Sequence, residues 1–493
     1  MFSLTNYLFL TFWLLAAVLV PLIYKLYTLF LVPTELKSIP EISLLKTLIS
    51  LIKGEDYQTY FENTLKPALA KKDMVRIWRL GQWELILSDA QLIREILFKE
   101  DNFLKRRAGD DYLNVLLLRK TLGYSNLLMA DGSDWRRHRQ VANPAFKASF
   151  SPVTFGECTK DLISLIESSQ GKPLQILDLF QRLTLDALGK GLFSYEFGAV
   201  AEKGNPVLEL YDDVTKAMFN PIYLIFPFLE DWIPSRKVYH QKSQEFRCFL
   251  KNIILERVTN VNEENKDLLS LMIKAMTIDK NVEFTEEDVI NDLVVFFFAG
   301  HDTTASTLSI ILFYLAKHQD IQERARNEVN TIIDEVRTPT AEDLKRLQYI
   351  DCIIYESMRI VTLVVQLRRY CCESQTLSDG TLIPEDTFVS LDMWRLHHDL
   401  ETYPNPYLFN PDRFLQPQSL HLNQWIAFGK GARMCIGKNF AMMEMRVAVS
   451  LLLQSFNFQP GPIGQTINSP KIDSFGLLSP YGLDLIFNPI EID

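Results

Sequence analysis

The sequence predicts a mainly α protein with a small β component, built as one large domain behind an N-terminal transmembrane helix. Apolar residues recur at helical spacing over long segments, strand-like runs are few and short, and no charged residue occurs between positions 1 and 24. The uncharged run is dominated by Leu, Phe, Val, Ala and Trp, and the first charge is Lys25. Roughly 20 apolar residues suffice to cross a bilayer as a helix. No basic segment precedes the run and no small-residue cleavage site stands out, so a retained anchor over 1–32 is expected rather than a cleaved signal. Lys25 and Lys37 follow the span, which places the N-terminus in the lumen and the bulk of the chain in the cytosol.

A short Pro-punctuated linker covers 33–40. With no internal repeat, low-complexity tract or long linker beyond it, residues 33–493 are expected to form one catalytic domain. Helical periodicity is strongest over 154–167, 239–261 and 321–335. Strands are expected at 75–80 and 84–88, as a hairpin around Gly81 and Gln82, and at 387–391 and 483–487. Residues 286–318 read as a single helix opened by a capping box of Thr285 and Asp288. Its apolar course is broken by Gly300-His301-Asp302-Thr303-Thr304. Ionisable groups at bilayer depth are costly, so a core helix is expected there, not a second membrane span.

Of 493 residues, 47% are apolar, enough for a sizeable core. The net charge of −10 argues against nucleic acid as a partner, since phosphate binding needs a basic face. The six cysteines are dispersed without a C-x-x-C pair, which fits neither a structural zinc site nor a disulfide framework.

Cys435 stands apart. It lies in Phe428-Gly429-Lys430-Gly431-Ala432-Arg433-Met434-Cys435-Ile436-Gly437, ahead of a helical run over 439–453. Three glycines let the backbone turn sharply and approach a flat partner. The dipole and free N–H groups of a helix N-terminus favour a thiolate there. From these residues alone, both a single-cysteine ligand and an inert buried thiol remain open.

The decapeptide resembles the haem-binding loop of the cytochrome P-450 family, F-x-x-G-x-R-x-C-x-G, at every fixed position, Gly437 included. The resemblance implies the cytochrome P-450 fold and haem b as cofactor. Cys435 would be the axial thiolate on iron, Arg433 would pair with a haem propionate, and Phe428 would pack near the sulfur. Ala299-Gly300-His301-Asp302-Thr303-Thr304 resembles the family's oxygen-activation motif. There, small residues at Ala299 and Gly300 would let a ligand lie against the helix, with Asp302 and Thr303 as the proton-handling catalytic pair. A threonine that failed to bond its i−4 carbonyl would also loosen the helix at this point.

Glu356 and Arg359 share a helix face, and Arg413 lies in a segment resembling the family's P-x-x-F-x-P-x-R-F. Together they imply a structural triad beneath the haem. Trp135 and Arg139 resemble the family's W-x-x-x-R and would reach a propionate; Arg369 is a further propionate candidate, with Arg368 competing for the role. Leu363, Val364, Leu477 and Leu478 fall where relatives line the substrate pocket, and the apolar stretch 219–229 falls where they roof it. The chain departs from the family pattern after Arg359, where the usual prolines are missing, in the linker, and at Tyr403, which replaces Trp.

The implied activity is monooxygenation of a hydrophobic small molecule, using O2 and electrons from NADPH. No flavin or iron–sulfur pattern is present, so a separate NADPH-dependent flavoprotein reductase is expected, with cytochrome b5 as a second candidate donor. Arg136, Arg137, Lys430 and Lys438 are the candidate docking cations. An endoplasmic reticulum membrane location, in contact with lipid, follows from the anchor and the family. Two other readings stand beside it: a haem-thiolate isomerase or dehydratase that does not use O2, which the intact Asp302-Thr303 pair disfavours, and a non-enzymatic membrane haem-binding protein.

Overall fold

The computed structural model describes residues 13, 20 and 30–493, apart from 71, 80–81, 106–114, 148–149, 203, 221, 224–228, 260–266, 279–282, 417–423, 473–479 and 491–493. The anchor expected over 1–32 lies mostly outside the described residues, as do Gly81, Leu477, Leu478 and much of the 219–229 stretch.

The helices that build the site and its supports are, in chain order, α1 (Ala90–Phe98), α2 (Gly132–Lys147), α3 (Pro152–Glu167), α4 (Ile176–Leu188), α5 (Pro206–Met218), α6 (Arg236–Thr259), α7 (Glu286–Lys317), α8 (Gln319–Ile332), α9 (Gln348–Ile360) and α10 (Lys438–Ser455). The predicted helical segments coincide with α3, α6, α7, α8 and α10 to within a few residues. The 32 residues of α7 form the central shaft, about 48 Å long at 1.5 Å per residue. Its start is fixed as the sequence indicates: Asp288 N–H donates to Thr285 Oγ1 at 3.1 Å, and Thr285 N–H donates to Asp288 Oδ2 at 2.8 Å. Glu286 and Glu287 add negative charge at the positive end of the helix dipole, and Lys317 closes the other end.

By length and composition α7 could cross a membrane, but 78% of its most apolar window is buried inside the protein. Such burial on all sides explains why its apolar residues follow no single stripe. Helices α4 and α10 flank it, and Phe297 sits edge-on to Phe246 of α6 at 5.1 Å. Among the described residues, the main sheet has six strands: β1 (Glu41–Ile42), β2 (Met74–Arg79), β3 (Gln82–Leu87), β4 (Phe103–Leu104), β5 (Gln366–Cys371) and β6 (Thr387–Asp392), in the order β1-β2-β3-β6-β5-β4. Arg79 pairs with Gln82 across the hairpin, so Gln82 belongs to β3 and not to the turn expected of it. A smaller sheet joins Phe456–Pro460, Asp484–Pro489 and Leu174–Gln175. The larger apolar core surrounds α7, and a second one lies between the main sheet and α1.

Candidate functional site

The Cys435 loop is shaped by its glycines. Gly429 and Gly431 adopt φ of 72° and 75°, where residues with a side chain are strained. At Gly431 a Cβ would also come within 2.4 Å of the Leu97 carbonyl oxygen at the end of α1, so the loop is pressed against that helix. Cys435 N–H donates to the Phe428 carbonyl at 2.9 Å, closing the loop upon itself. Gly437 then caps α10.

Cys435 is exposed, at the turn that leads into α10. Burial pushes the thiol above its usual range; the N–H groups of Gly437 and Lys438 and the charges of Arg139 and Lys438 pull the other way without prevailing. The N–H groups at the helix N-terminus favour the thiolate as expected, and burial outweighs them. Here a metal cation would have to displace the proton.

The loop is joined to the middle of α7 through α2. Phe146 of α2 is the connection: it would touch a Cβ at Gly437 at 3.9 Å and stacks on Phe296 at 5.6 Å. One turn on, Ala299 is exposed in an otherwise buried stretch, and Thr303, one further turn along, is half-buried. Thr303 Oγ1 donates to the Ala299 carbonyl at 2.8 Å, and α7 continues unbroken. The expected loosening of the helix does not occur, because the hydroxyl makes its i−4 bond.

Gly300 has another purpose than the one expected. A Cβ there would lie 2.6 Å from Leu188 Cδ1, so this glycine admits α4, not a ligand. Asp302 is buried on the α4–α5 side, where Gln181 Nε2 donates to Oδ1 at 2.9 Å and Tyr211 O–H donates to Oδ2 at 2.6 Å.

One edge of the site is a buried cluster of cations. Arg433 donates to Asp131 at 2.6 Å and to the Ala130 carbonyl at 2.7 Å, with its guanidinium 4.2 Å over the Trp135 ring. Arg369 and Lys105 complete the cluster. Burial, and then the positive charge of Arg433, pull Arg369 down to about 10. Burial followed by the charges of Arg369 and Arg433 holds Lys105 well below the usual lysine range. Arg139, one turn from Trp135, is likewise lowered by burial and has the Cys435 sulfur as its opposing charge.

Cations outnumber carboxylates here, and burying unmatched charge is expensive. The cluster therefore suits an anionic group bearing more than one carboxylate, which is what a haem edge offers. With this cluster, the exposed Cys435 and the accessible Ala299 of α7, the residues present fit haem.

Neighbouring side chains on a strand point to opposite faces, and this decides between the two arginines of β5. Arg368 pairs with Glu84 at 3.0 Å and lies 3.8 Å over Phe388, leaving Arg369 to the cation cluster. Lys105 and Asp131 were not singled out from the sequence. Neither belongs to a periodic or motif-like pattern, and only the fold brings them beside Arg433.

Beneath the loop, Glu356 and Arg359 form a buried bidentate pair at 2.7 and 2.8 Å. Arg413 Nε reaches Glu356 at 3.4 Å. Arg359 also donates to the His397 and Pro406 carbonyls, both at 2.8 Å, and Tyr403 lies 5.0 Å under its guanidinium. His397 carries this frame to the loop: its Nε2 accepts the Ile426 N–H at 3.2 Å, and its other ring nitrogen lies 2.8 Å from the Thr362 hydroxyl. Burial, then the Arg359 charge, lower the imidazole to about 3 and keep it neutral.

Of the expected docking cations, Arg137 is committed elsewhere, bridging Asp134 and Asp288 at 2.8 Å each. Arg136 is exposed and pairs with exposed Asp101 at 2.7 Å. Lys430 lies near Arg94 and Lys438, whose charges add to burial in lowering it. Leu363 packs on the core and Val364 is exposed, both in the proline-free segment after Arg359.

The family model described as Cytochrome P450 matches residues 42–485. The chain is 28% identical to Cytochrome P450 3A2 of Rattus norvegicus, over 91% of each chain. It is also 28% identical to Cytochrome P450 3A9 of Rattus norvegicus, over 82% of this chain and 83% of that relative. With Cytochrome P450 3A5 of Homo sapiens the identity is 26% over 80% of each. The crystal structure of the cytochrome P450DA heme domain superposes with a TM-score of 0.76, covering 92% of this chain and 97% of that one at 22% identity.

Proposed function

The chain belongs to the cytochrome P450 family, and on that premise we propose that it is a haem-thiolate monooxygenase that inserts one atom of O2 into a hydrophobic small molecule. One observation supports this above all: the exposed Cys435 just ahead of α10 and the accessible Ala299 and Thr303 of α7 are joined through Phe146, which packs toward both Gly437 and Phe296. Bound haem would supply the oxygen chemistry, and the protein supplies its ligand, its orientation and the proton path. Cys435 would hold the iron, while Lys105, Arg139, Arg369, Arg433 and Trp135 would hold the propionate edge. Thr303 donates to Ala299, and its hydroxyl lone pairs would order a water beside the bound haem. Asp302 lies within one residue of it and handles the proton.

Electrons would come from an NADPH-dependent flavoprotein reductase, or from cytochrome b5, docking near Arg136, Lys430 and Lys438. Residues 1–32 would anchor the 33–493 domain to the endoplasmic reticulum membrane, with lipid as the source of an apolar substrate passing Leu363 and Val364.

The test is reconstitution of the full chain with such a reductase, NADPH and oxygen-18 gas, over a sterol, a monoterpene and a C12 fatty acid as probes. NADPH-dependent product carrying the label is expected. Product that carries no label would overturn the reading. Thr303→Ala should lower product per NADPH and raise hydrogen peroxide, by up to about a hundredfold, the lower end of what a lost proton-handling group costs.

Arg369→Leu should speed haem loss to apomyoglobin about tenfold or more, since a charge-assisted bond contributes about 1.5–3 kcal/mol. An unchanged rate would remove Arg369 from the haem site.

A further inference from the structure

Asp131 stands just ahead of α2, where its carbonyl accepts the Trp135 N–H at 3.2 Å. An aspartate in that position can cap its own helix, as Asp89 does for α1 by accepting the Leu92 N–H at 2.8 Å. The Asp131 carboxylate binds other segments. Its Oδ1 accepts from Arg433 Nη2 at 2.6 Å and from the Lys105 N–H at 2.9 Å, and its Oδ2 lies 3.0 Å from the same N–H. Three stretches of chain far apart in sequence thus meet on one carboxylate: the residue after β4, the approach to α2 and the Cys435 loop.

The joint is largely shut off from water, with the Asp131 side chain 14% exposed and that of Arg433 6%. Arg433 is held from three sides. Asp131 takes one terminal nitrogen, the Ala130 carbonyl takes the other at 2.7 Å, and the Trp135 ring lies 4.2 Å from the guanidinium carbon. A guanidinium carries more donors than these two bonds use, so Arg433 can grip an anionic partner at the same time.

Charge points the same way. Burial is the largest cost to the charged forms of Lys105, Arg369 and Arg433, and the Asp131 carboxylate opposes it at all three. Glu100 assists at Arg433. Without the charge of Asp131, the cluster would hold one more unmatched positive charge.

We propose that Asp131 is the internal counter-ion of the haem edge: it aims Arg433 at a propionate, ties the Lys105 backbone to the approach to α2, and holds the iron at a lower reduction potential than the cations alone would set. It is a positioning residue, because it reaches the haem through Arg433 and Lys105. The proposal rests on the reading of Cys435 as the iron ligand. Reduction adds an electron to the iron, and a negative charge nearby opposes that, the more so where water screens it little. Asparagine at this position keeps an oxygen for the Lys105 N–H and for Arg433 but loses the charge. Glutamate keeps the charge and spoils the aim by one methylene.

The test is a spectroelectrochemical titration of the full haem-loaded protein, with haem loss to apomyoglobin measured beside it. At the potential where the unsubstituted chain is half reduced, D131N should shift the ferrous-to-ferric ratio about threefold or more toward ferrous. D131E should stay within about a factor of two of the unsubstituted chain in that ratio, while losing haem about fivefold or more faster. Loss of packing alone would not divide the two variants in this way. An unmoved potential in D131N, or haem loss at the original rate in D131E, would overturn the proposal.

Arg433→Lys tests the same link from its other end and leaves Asp131 in place should its variants not fold. Lysine keeps the positive charge and gives up the fork between Asp131 and the Ala130 carbonyl, so haem loss should quicken about fivefold or more at a potential near the original. D131E combined with R433K should lose haem no faster than R433K alone, since both act on one aim. Fully additive losses would place the effect of Asp131 elsewhere and overturn the aiming role. Failure of the Cys435 reading looks different: the red-shifted carbon-monoxide band would be missing from the unsubstituted chain itself, whereas failure of this proposal leaves that band intact.

Discussion

Cys435→Ala should abolish the strongly red-shifted Soret band of the reduced protein under carbon monoxide and reduce the proposed monooxygenase turnover to background. This is the largest effect expected of any single substitution. A thiolate donor sets the electron density on iron, and alanine has nothing to offer in its place. The loss should be specific. Cys435 N–H would still donate to Phe428, Gly429 and Gly431 would still shape the loop, and α10 would still start at Lys438. Circular dichroism should therefore show native helix content. Cys248→Ala, which removes an exposed thiol on α6, should leave the band in place. A red-shifted band that survives Cys435→Ala would mean another ligand holds the iron, and the proposed function would fall with it.

Arg359→Ala should destabilise the protein by about 3–5 kcal/mol, the cost of stranding a buried partner charge. Glu356 is fully buried, and among the described residues it would keep only the 3.4 Å contact from Arg413 and the 2.9 Å bond from Asn410 N–H. The His397 and Pro406 carbonyls would lose their donor at the same time. Because His397 also accepts from Ile426, two residues before Phe428, the damage should reach the Cys435 loop and appear as lost haem. Arg359→Lys should not rescue it, since a single ammonium cannot make the forked contact to Glu356 and still reach both carbonyls. Urea unfolding with haem occupancy measured in parallel decides the matter. A midpoint within experimental error of the unsubstituted protein would show the frame to be dispensable.

The two effects differ in how far the sequence could foresee them. The loop, the oxygen-side motif and the Glu–Arg pair could be named because each is contiguous or lies within one helical turn, where spacing alone implies proximity. Long helices were readable for the same reason: periodicity over thirty or so residues of α7, with Thr285 and Asp288 at its head, leaves little choice. Short strands such as β1 and β4, two residues each, carry no such signal and form because β2 and β5 hold them.

The sequence by itself determined the fold class, the family resemblance, the ligand candidate and the central helix, since these are written in local order and composition. Only the tertiary structure decided the rest. It assigned Gly300 to helix packing, divided Arg368 from Arg369, and gathered Lys105 and Asp131 around Arg433. It also raised the Cys435 thiol where the helix terminus alone would lower it. The physical reason is common to all of these. Burial, charge pairing and steric room depend on what other segments bring to a residue, and no residue's neighbours along the chain specify them.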